Sequence, residues 1–121
     1  MSEITAVVGA SADETKYSNM AIRNLLEAGQ EVICISPKPV GLDGCDEYNE
    51  LEEINKNVDT VTVYISPKRQ DKMLQDLLVL KPTRVIFNPG TENPSAYQDL
   101  ENADIKVMEA CTLVMLSTGQ Y

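Results

Sequence analysis

Basic side chains are scarce in this chain, yet several of them follow short apolar segments. The 121 residues include 10 Lys and Arg against 19 Asp and Glu, for a formal charge of −9. Lys16, Lys38 and the pair Lys68-Arg69 come just after the first three apolar, β-branched segments. If these segments are neighbouring parallel strands, the cations gather at one edge of a sheet. That clustering favours a polyanionic ligand, although each cation alone is equally typical of a solvated loop.

The loop after the first apolar segment has the composition of a phosphate site. Gly9 permits a tight turn and lets a ligand approach the backbone. A helix capped by Ser18 would offer free N–H groups and a partial positive charge, and Ser11 and Lys16 add donors. The loop lacks the second and third glycines of the dinucleotide fingerprint and is not a Walker A loop. An ordinary strand-to-helix turn is the competing interpretation.

Lys38 follows the second apolar segment, in the sequence Ser36-Pro37-Lys38-Pro39. A typical NAD site has an acid near this strand end to bind the ribose 2′-hydroxyl, whereas here no acid comes before Asp43. The lysine therefore disfavours NAD and favours a phosphorylated ribose, as in coenzyme A or NADP.

The residue types that most catalytic constellations require are missing. Without histidine the chain has no Ser-His triad, no phosphohistidine chemistry and no histidine-ligated metal. The three cysteines, Cys34, Cys45 and Cys111, have no CxxC spacing and are predicted to be reduced thiols. Cys34 lies within an apolar segment and is predicted to be a core residue. Cys111 has no histidine to activate its thiol. We predict no catalytic residue and no metal site.

Composition excludes several further classes. With 43% hydrophobic and 24% charged residues, the chain is typical of a globular protein. No apolar run approaches the roughly 20 residues of a membrane helix, and Met1-Ser2-Glu3 begins no signal peptide. The acidic balance disfavours nucleic acid. We expect a cytoplasmic protein without a membrane or nucleic-acid partner.

Five apolar segments alternate with helix signals along the chain. Most are continuously apolar, as is typical of strands buried on both faces of a parallel sheet. They cover residues 4–8, 32–35, 60–65, 85–87 and 105–108. The intervening helices are predicted from Ser18 to Gly29, after Ser66-Pro67 up to Lys81-Pro82, and after Asn93-Pro94.

Two stretches are less regular. Residues 37–57 are rich in Pro, Gly and acids, and are predicted to form a solvated face with one short covering helix at Leu51 and Ile54. Residues 113–116 are predicted either to form a helix on the sheet or to meet another subunit.

This alternation predicts an α/β fold: one Rossmann-like, doubly wound domain over residues 1–121, with a mostly parallel five-stranded sheet and helices on both faces. Ligands of such sheets bind beyond the carboxyl ends of the strands, near the point where the strand order reverses.

Taken together, the strand-end loops resemble those of the small stand-alone CoA-binding proteins. That family is related to the CoA-binding domain of the succinyl-CoA synthetase α subunit. The motifs span nearly the whole chain in the family's order: Val8-Gly9-Ala10-Ser11, Lys16-Tyr17-Ser18, Ile35-Ser36-Pro37-Lys38, Gly44 with Tyr48, Val58-Asp59-Thr60-Val61, Asn88-Pro89-Gly90-Thr91-Glu92-Asn93 and Cys111.

The resemblance implies that coenzyme A, or an acyl-CoA, binds at the strand carboxyl ends. By similarity, the loop of residues 9–18 would hold the diphosphate, and Lys38 would meet the phosphorylated ribose and adenine. The implied binding residues are Gly9, Ala10, Ser11, Lys16, Tyr17, Ser18, Pro37, Lys38, Tyr64, Ile65, Ser66, Asn88, Pro89 and Gly90. Such proteins often carry tryptophan and glutamine at the positions of Ile86 and Asn88, so the fourth-strand wall departs from the family.

The resulting hypothesis is non-catalytic binding of CoA or acyl-CoA. The synthetase needs a phosphorylated histidine that this chain lacks, so the resemblance implies binding and not ligase activity. An NADP-binding or redox-sensing regulatory domain is one alternative. An interaction module with a vestigial nucleotide site is another, and a homo-oligomer or an unidentified protein partner stays open.

Overall fold

In a computed structural model that describes residues 3–121, six strands form one parallel sheet. Met1 and Ser2, which enter the signal-peptide prediction, lie outside the described residues. The strand order is β3-β2-β1-β4-β5-β6. The strands are β1 Ile4–Val8, β2 Glu31–Ile35, β3 Cys45–Tyr48, β4 Thr60–Val63, β5 Arg84–Phe87 and β6 Lys106–Glu109.

Four helices cover the two faces of the sheet. They are α1 Tyr17–Glu27, α2 Asp71–Leu80, α3 Pro94–Asn102 and α4 Thr112–Ser117, with short 3-10 helices at Leu51–Glu53 and Pro67–Arg69. Apolar residues of α1 and α4 pack with one cluster, and those of α2 and α3 pack with the other. This two-sided arrangement confirms the Rossmann-like, doubly wound prediction.

The sheet has one strand more than predicted. Strand β3 pairs with β2 in parallel register, Val32 opposite Cys45 and Ile35 opposite Tyr48. Its sequence, Cys-Asp-Glu-Tyr, contains no apolar run, because an edge strand exposes one row of side chains to solvent. Apolar patterning therefore missed it, and the fully parallel sheet extends over residues predicted to be irregular.

Helix boundaries also differ from the prediction in detail. Ser18 is not a cap but a buried residue inside α1, whose N-cap position is Lys16. After Ser66 the chain first forms the 3-10 turn Pro67–Arg69, and α2 begins only at Asp71. The predicted stop is confirmed, since Lys81 adopts the left-handed conformation (φ 51°) that ends α2.

Residues 113–116 form part of helix α4, which packs against α1. Helix α4 contacts α1, and its Thr112 and Met115 are buried while Val114 is exposed. Among residues 3–121, no helix is both long and apolar enough to cross a membrane.

The strand order reverses between β1 and β4. The chain runs outward from β1 through β2 to β3, and then returns to place β4 on the other side of β1. The two halves separate at this point, so a cleft opens above the carboxyl ends of β1 and β4.

Candidate functional site

A cavity of about 700 Å³ lies at the carboxyl edge of the sheet. It is bordered by the residues that follow β1, β2, β3, β4 and β5 and by the first turns of α2. Of the residues predicted to bind a ligand, it brings together Gly9, Ala10, Ser11, Lys16, Tyr17, Ser18, Pro37, Lys38, Tyr64, Ile65 and Pro89. Ser66, Asn88 and Gly90 lie outside its lining.

Gly9 forms the turn at the switch point, with a φ of +87°. A Cβ at this position would lie 2.9 Å from Cγ2 of Ile65 and 3.1 Å from the carbonyl carbon of Tyr64. The N–H groups of Gly9 and Ala10 both donate to the Ile35 carbonyl. Gly9 is therefore needed to bring the ends of β1, β2 and β4 together, and these two amides are engaged within the protein.

The loop from β1 to α1 is held by side chains of α1. The Asn19 amide donates to the Ser11 carbonyl at 2.9 Å and accepts from Nε of Arg23 at 2.8 Å. Asp13 caps the next turn by accepting from the N–H and hydroxyl of Thr15, which lowers the pKa of the Asp13 carboxyl. The loop thus presents a fixed wall to the cavity.

Helix α1 points its N-terminus toward this wall. No side chain caps its first turn, and the first turn contains no acidic residue. The first N–H groups of a helix have no intrahelical acceptor and carry a partial positive charge. Together with Lys16, this 11-residue helix offers donors suited to an anion.

The Lys38 loop is anchored on both sides. Before it, the Ser36 N–H donates to the Tyr48 carbonyl at the end of β3, and the Ser36 hydroxyl accepts from the Lys38 N–H. After it, the Glu47 carboxylate accepts from the N–H groups of Val40 (2.6 Å) and Gly41 (3.1 Å). Strand β3, which the sequence did not reveal, therefore positions the lysine.

Charged groups divide the cavity into two parts. Among residues 3–121, Lys16, Lys38 and Arg69 line the cavity without forming a salt bridge. Lys72 also lines it, but its Nζ contacts Asp76 at 2.6 Å, Glu52 at 3.1 Å and Glu50 at 3.6 Å. The first group can neutralise a bound anion, whereas Lys72 is already neutralised.

The Lys72 cluster is built by contact between a 3-10 helix and α2. Asp76, only 6% exposed, accepts from the Lys72 ammonium and from the Glu52 N–H. The hydrogen bond that the Lys72 ammonium donates to Asp76 raises the pKa of Lys72, so the ammonium stays charged at neutral pH. The i,i+4 spacing on α2 places Lys72 beside Asp76, but no spacing rule brings Glu50 to them, and the prediction did not include this cluster.

Tyr64 joins the cavity to the interior. Its side chain lines the cavity, and its hydroxyl is buried beside Thr62 and Thr112 without a hydrogen bond of ordinary geometry among residues 3–121. Burial raises the pKa of Tyr64 to about 12. The hydroxyl therefore stays protonated at neutral pH and is no candidate general base.

Asn88 faces the protein rather than the cavity. It is 2% exposed, and its Nδ2 donates to Oγ1 of Thr62 at 2.7 Å and to the Val63 carbonyl at 3.0 Å. Its Oδ1 accepts from the Thr112 N–H at 2.8 Å. The amide thus ties β4 and β5 to α4, and its polar atoms are all engaged.

A second closed network lies beside it. The Gln70 side chain is fully buried and donates to the carbonyls of Ile65 and Thr91. It accepts from the Asn93 amide at 3.1 Å. In the sequence, Gln70 is only a polar residue near the start of a predicted helix, and nothing there indicates its role. In the structure it fixes the backbone of Ile65 and Thr91 at the cavity wall.

The described residues contain no group of three or more Cys, Asp or Glu arranged to hold a metal. Cys111 lies at the N-cap position of α4, half-buried, and is a free thiol. The cavity lining combines the cations Lys16, Lys38 and Arg69 with apolar residues such as Ile35 and Leu51, so its chemistry suits an anion.

A family model, a sequence relative and a solved structure each match nearly the whole of this chain. The family model described as "CoA binding domain" matches residues 3–117. The uncharacterised protein YneT of Bacillus subtilis is 27% identical over 110 residues, covering 90% of this chain and 82% of that protein. The crystal structure of an uncharacterised protein superposes with a TM-score of 0.85 at 34% identity, covering 100% of this chain and 99% of that one.

A larger enzyme shares the fold. The dinucleotide-forming acetyl-coenzyme A synthetase 1 of Ca. Korarchaeum cryptofilum aligns with a TM-score of 0.77 at 19% identity. The alignment covers 89% of this chain but 26% of the enzyme. The common part is therefore one Rossmann-like unit of a much longer protein.

Proposed function

Because the chain belongs to the CoA-binding domain family, we propose that it binds coenzyme A or an acyl-CoA, without catalysis, in the cavity at the carboxyl edge of the sheet. The whole chain, residues 1–121, acts as one cytoplasmic binding domain in this proposal. The observation that carries it is the set of cations that form no salt bridge among residues 3–121, Lys16, Lys38 and Arg69, on one cavity of about 700 Å³ in a chain of charge −9.

The diphosphate is assigned to the turn after β1. There the N-terminus of α1 and the Lys16 ammonium face the cavity, and both favour a negative charge. Ser11 and Ser18 add hydroxyl groups to the same lining. This part of the site would bind the diphosphate of any nucleotide.

The phosphorylated ribose is assigned to Lys38. A lysine forms charge-assisted hydrogen bonds with phosphate oxygens, and Lys38 has no competing carboxylate within salt-bridge distance among residues 3–121. Arg69 supplies a third cation across the cavity. Selection of CoA over its dephospho form should therefore depend on Lys38.

The absence of a catalytic role is supported by the side chains at the cavity. Its lining contains no cysteine, and the sequence contains no histidine. The buried Tyr64 hydroxyl is held neutral by its raised pKa. The cavity therefore offers neither a cysteine nucleophile nor a histidine base.

Calorimetric titration with a parallel thermal melt tests the proposal. The ligands are CoA, dephospho-CoA, acetyl-CoA, NADP and NAD. A ligand at about 100 times its dissociation constant should stabilise the fold by roughly 2.7 kcal/mol, which raises the Tm by several degrees. We expect a shift with CoA and acetyl-CoA, a smaller one with dephospho-CoA and none with NAD.

Lys38→Ala should weaken CoA binding about tenfold while leaving dephospho-CoA binding nearly unchanged, because one phosphate contact is lost. Lys68→Ala is the matched control, since Lys68 is exposed, close in the fold and outside the cavity lining. If both variants lost CoA affinity equally, Lys38 would contribute only through its net charge and not through a specific phosphate contact. Binding of NADP in preference to CoA would favour the alternative regulatory domain.

A further inference from the structure

Two cysteine sulfurs lie close together at the β2–β3 edge of the sheet. The Sγ atoms of Cys34 and Cys45 are 3.2 Å apart, and both residues are free thiols. Cys34 is fully buried in β2, and Cys45 is the first residue of β3. We propose that these residues form a reversible dithiol–disulfide site whose oxidation alters the Lys38 side of the cavity.

Closing the bond requires a movement of β3. In the parallel register Cys45 lies opposite Val32, and Cys34 lies opposite Glu47, so the two cysteines are diagonal neighbours. A disulfide brings the sulfurs to about 2.05 Å and needs closely spaced Cα atoms. Cys45 follows Gly44, which has a φ of +92°, and it begins an edge strand that is bonded on one side only. The start of β3 is therefore the part that can shift.

Strand β3 also anchors the part of the cavity wall that carries Lys38. Glu47 accepts from the N–H groups of Val40 and Gly41, and the Tyr48 carbonyl accepts from the Ser36 N–H. These bonds anchor the loop that carries Lys38, as described above. A shift of β3 toward Cys34 displaces these anchors, and it also breaks the bond from the Cys45 thiol to the Leu42 carbonyl.

The covalent step is an exchange with a small disulfide, RSSR. The Cys45 thiolate attacks one sulfur of RSSR, forming Cys45–S–S–R and releasing RS⁻. The Cys34 thiolate then attacks Sγ of Cys45, forming the Cys34–Cys45 bond and releasing a second RS⁻. The two protein thiols are oxidised and RSSR is reduced to two RSH, which take the two thiol protons.

The groups around Cys34 and Cys45 determine how fast the two thiols exchange with a disulfide. Burial raises the pKa of both thiols, and the carboxylates of Glu47, Asp46 and Asp43 raise that of Cys45 further. Because the thiolate is the attacking species, exchange at neutral pH is slower than for a free cysteine and accelerates as the pH rises. Cys45 is the half-buried member and the one that RSSR reaches first.

The first measurement detects the bond itself. The full-length protein is equilibrated with glutathione buffers of increasing disulfide content, alkylated, digested and analysed by mass spectrometry. We expect loss of two hydrogen atoms and a peptide joined through Cys34 and Cys45, in the parent and in Cys111→Ser. Cys45→Ser should lose the joined peptide. It is the variant of choice because a serine at fully buried Cys34 would place a hydroxyl in the core.

The second measurement tests the effect on the site, and this part rests on the proposed function. The Cys111→Ser protein is titrated with acetyl-CoA in its reduced and oxidised forms, because the free thiol of CoA would itself exchange with the disulfide. We expect oxidation to weaken binding about fivefold or more, a usual size for coupling between two sites. A thermal melt of both forms reports the structural change without any ligand.

The outcomes separate the two proposals. Fully reduced Cys34 and Cys45 in the most oxidising buffer, or glutathione on Cys45 with no joined peptide, would overturn the dithiol site. A joined peptide with unchanged acetyl-CoA affinity would overturn its link to the cavity. If neither form binds acetyl-CoA, the proposed function fails, while the mass measurement still decides the dithiol site.

Discussion

Polar residues follow both β2 and β5, and the two regions differ in where their hydrogen bonds go. After β2, Lys38 lines the cavity and forms no salt bridge with any residue that the structure describes. After β5, Asn88 is 2% exposed and directs its amide to Thr62, Val63 and Thr112. One region is open to a ligand, and the other joins strands to a helix.

The difference teaches how to interpret polar residues at strand ends. In the sequence, Lys38 and Asn88 carry the same signal, a polar residue just beyond an apolar strand. Lys38 and Asn88 differ in the number of hydrogen-bonding groups around them, and that number depends on where the preceding strand lies in the sheet. Beside Asn88 lie β4 and α4, whereas the loop after β2 borders the cleft at the strand reversal. A polar group is free to bind only where the fold leaves it unpaired.

The largest expected effect is at Asn88. Asn88→Ala removes three hydrogen bonds and leaves the buried Thr112 N–H without its acceptor, so the free energy of unfolding should fall by about 2–4 kcal/mol. Urea denaturation measures this, with exposed Asn57→Ala as a control that should change stability by less than about 0.5 kcal/mol. CoA affinity of the folded variant should stay within about twofold. A tenfold loss of affinity with little loss of stability would instead make Asn88 part of the open region.

Gly9→Ala tests the turn that separates the two regions. The added methyl would meet Ile65 and the Tyr64 backbone at 2.9–3.1 Å in a left-handed conformation, so we expect a loss of about 1–3 kcal/mol and weaker CoA binding. Gly29→Ala is the matched control, because Gly29 has a φ of +83° but open space around its Cβ position. Equal destabilisation of both variants would show that only the φ matters and not the close approach at the cavity.

The smallest effect is expected at Tyr64, which touches both regions. Its hydroxyl lies beside Thr62 and Thr112 but forms no hydrogen bond of ordinary geometry within the described residues, so Tyr64→Phe at pH 7 should change the free energy of unfolding by less than about 1 kcal/mol or raise it. Above pH 10.0 the hydroxyl ionises in the unfolded chain, while in the fold its pKa is raised to about 12. The parent should therefore lose stability as the pH rises from 10 toward 12, and the variant should lose less.

Urea denaturation at pH 7 and pH 11 measures this difference. Tyr17→Phe is the control for losing a hydroxyl at the cavity, because Tyr17 is 71% exposed. A marked loss of stability for Tyr64→Phe at pH 7 would place its hydroxyl in the closed network with Asn88.

Much of the fold and part of the site could be predicted from the sequence. The apolar runs of β1, β2, β4 and β5 predicted their strands because both faces of a central strand are buried. Strands β3 and β6 are the two edges of the sheet. Strand β6 was predicted because it keeps the apolar pair Val107-Met108, whereas β3, Cys-Asp-Glu-Tyr, has no apolar run. The Gly9 loop and Lys38 could be found because each is a short motif directly after a strand. The Lys72 cluster could not, since Glu52 and Asp76 meet only where a 3-10 helix contacts α2.

The sequence by itself determined the alternation of strands and helices, the cations after the first strands and the lack of histidine chemistry, because these depend on residue type and local spacing. The tertiary structure alone decided which polar groups remain unpaired. It engages Asn88 and Lys72, leaves Lys16 and Lys38 free, and brings Cys34 within 3.2 Å of Cys45. The physical reason is that hydrogen bonds and ion pairs are completed by residues distant in the chain, and their positions follow from strand order and packing.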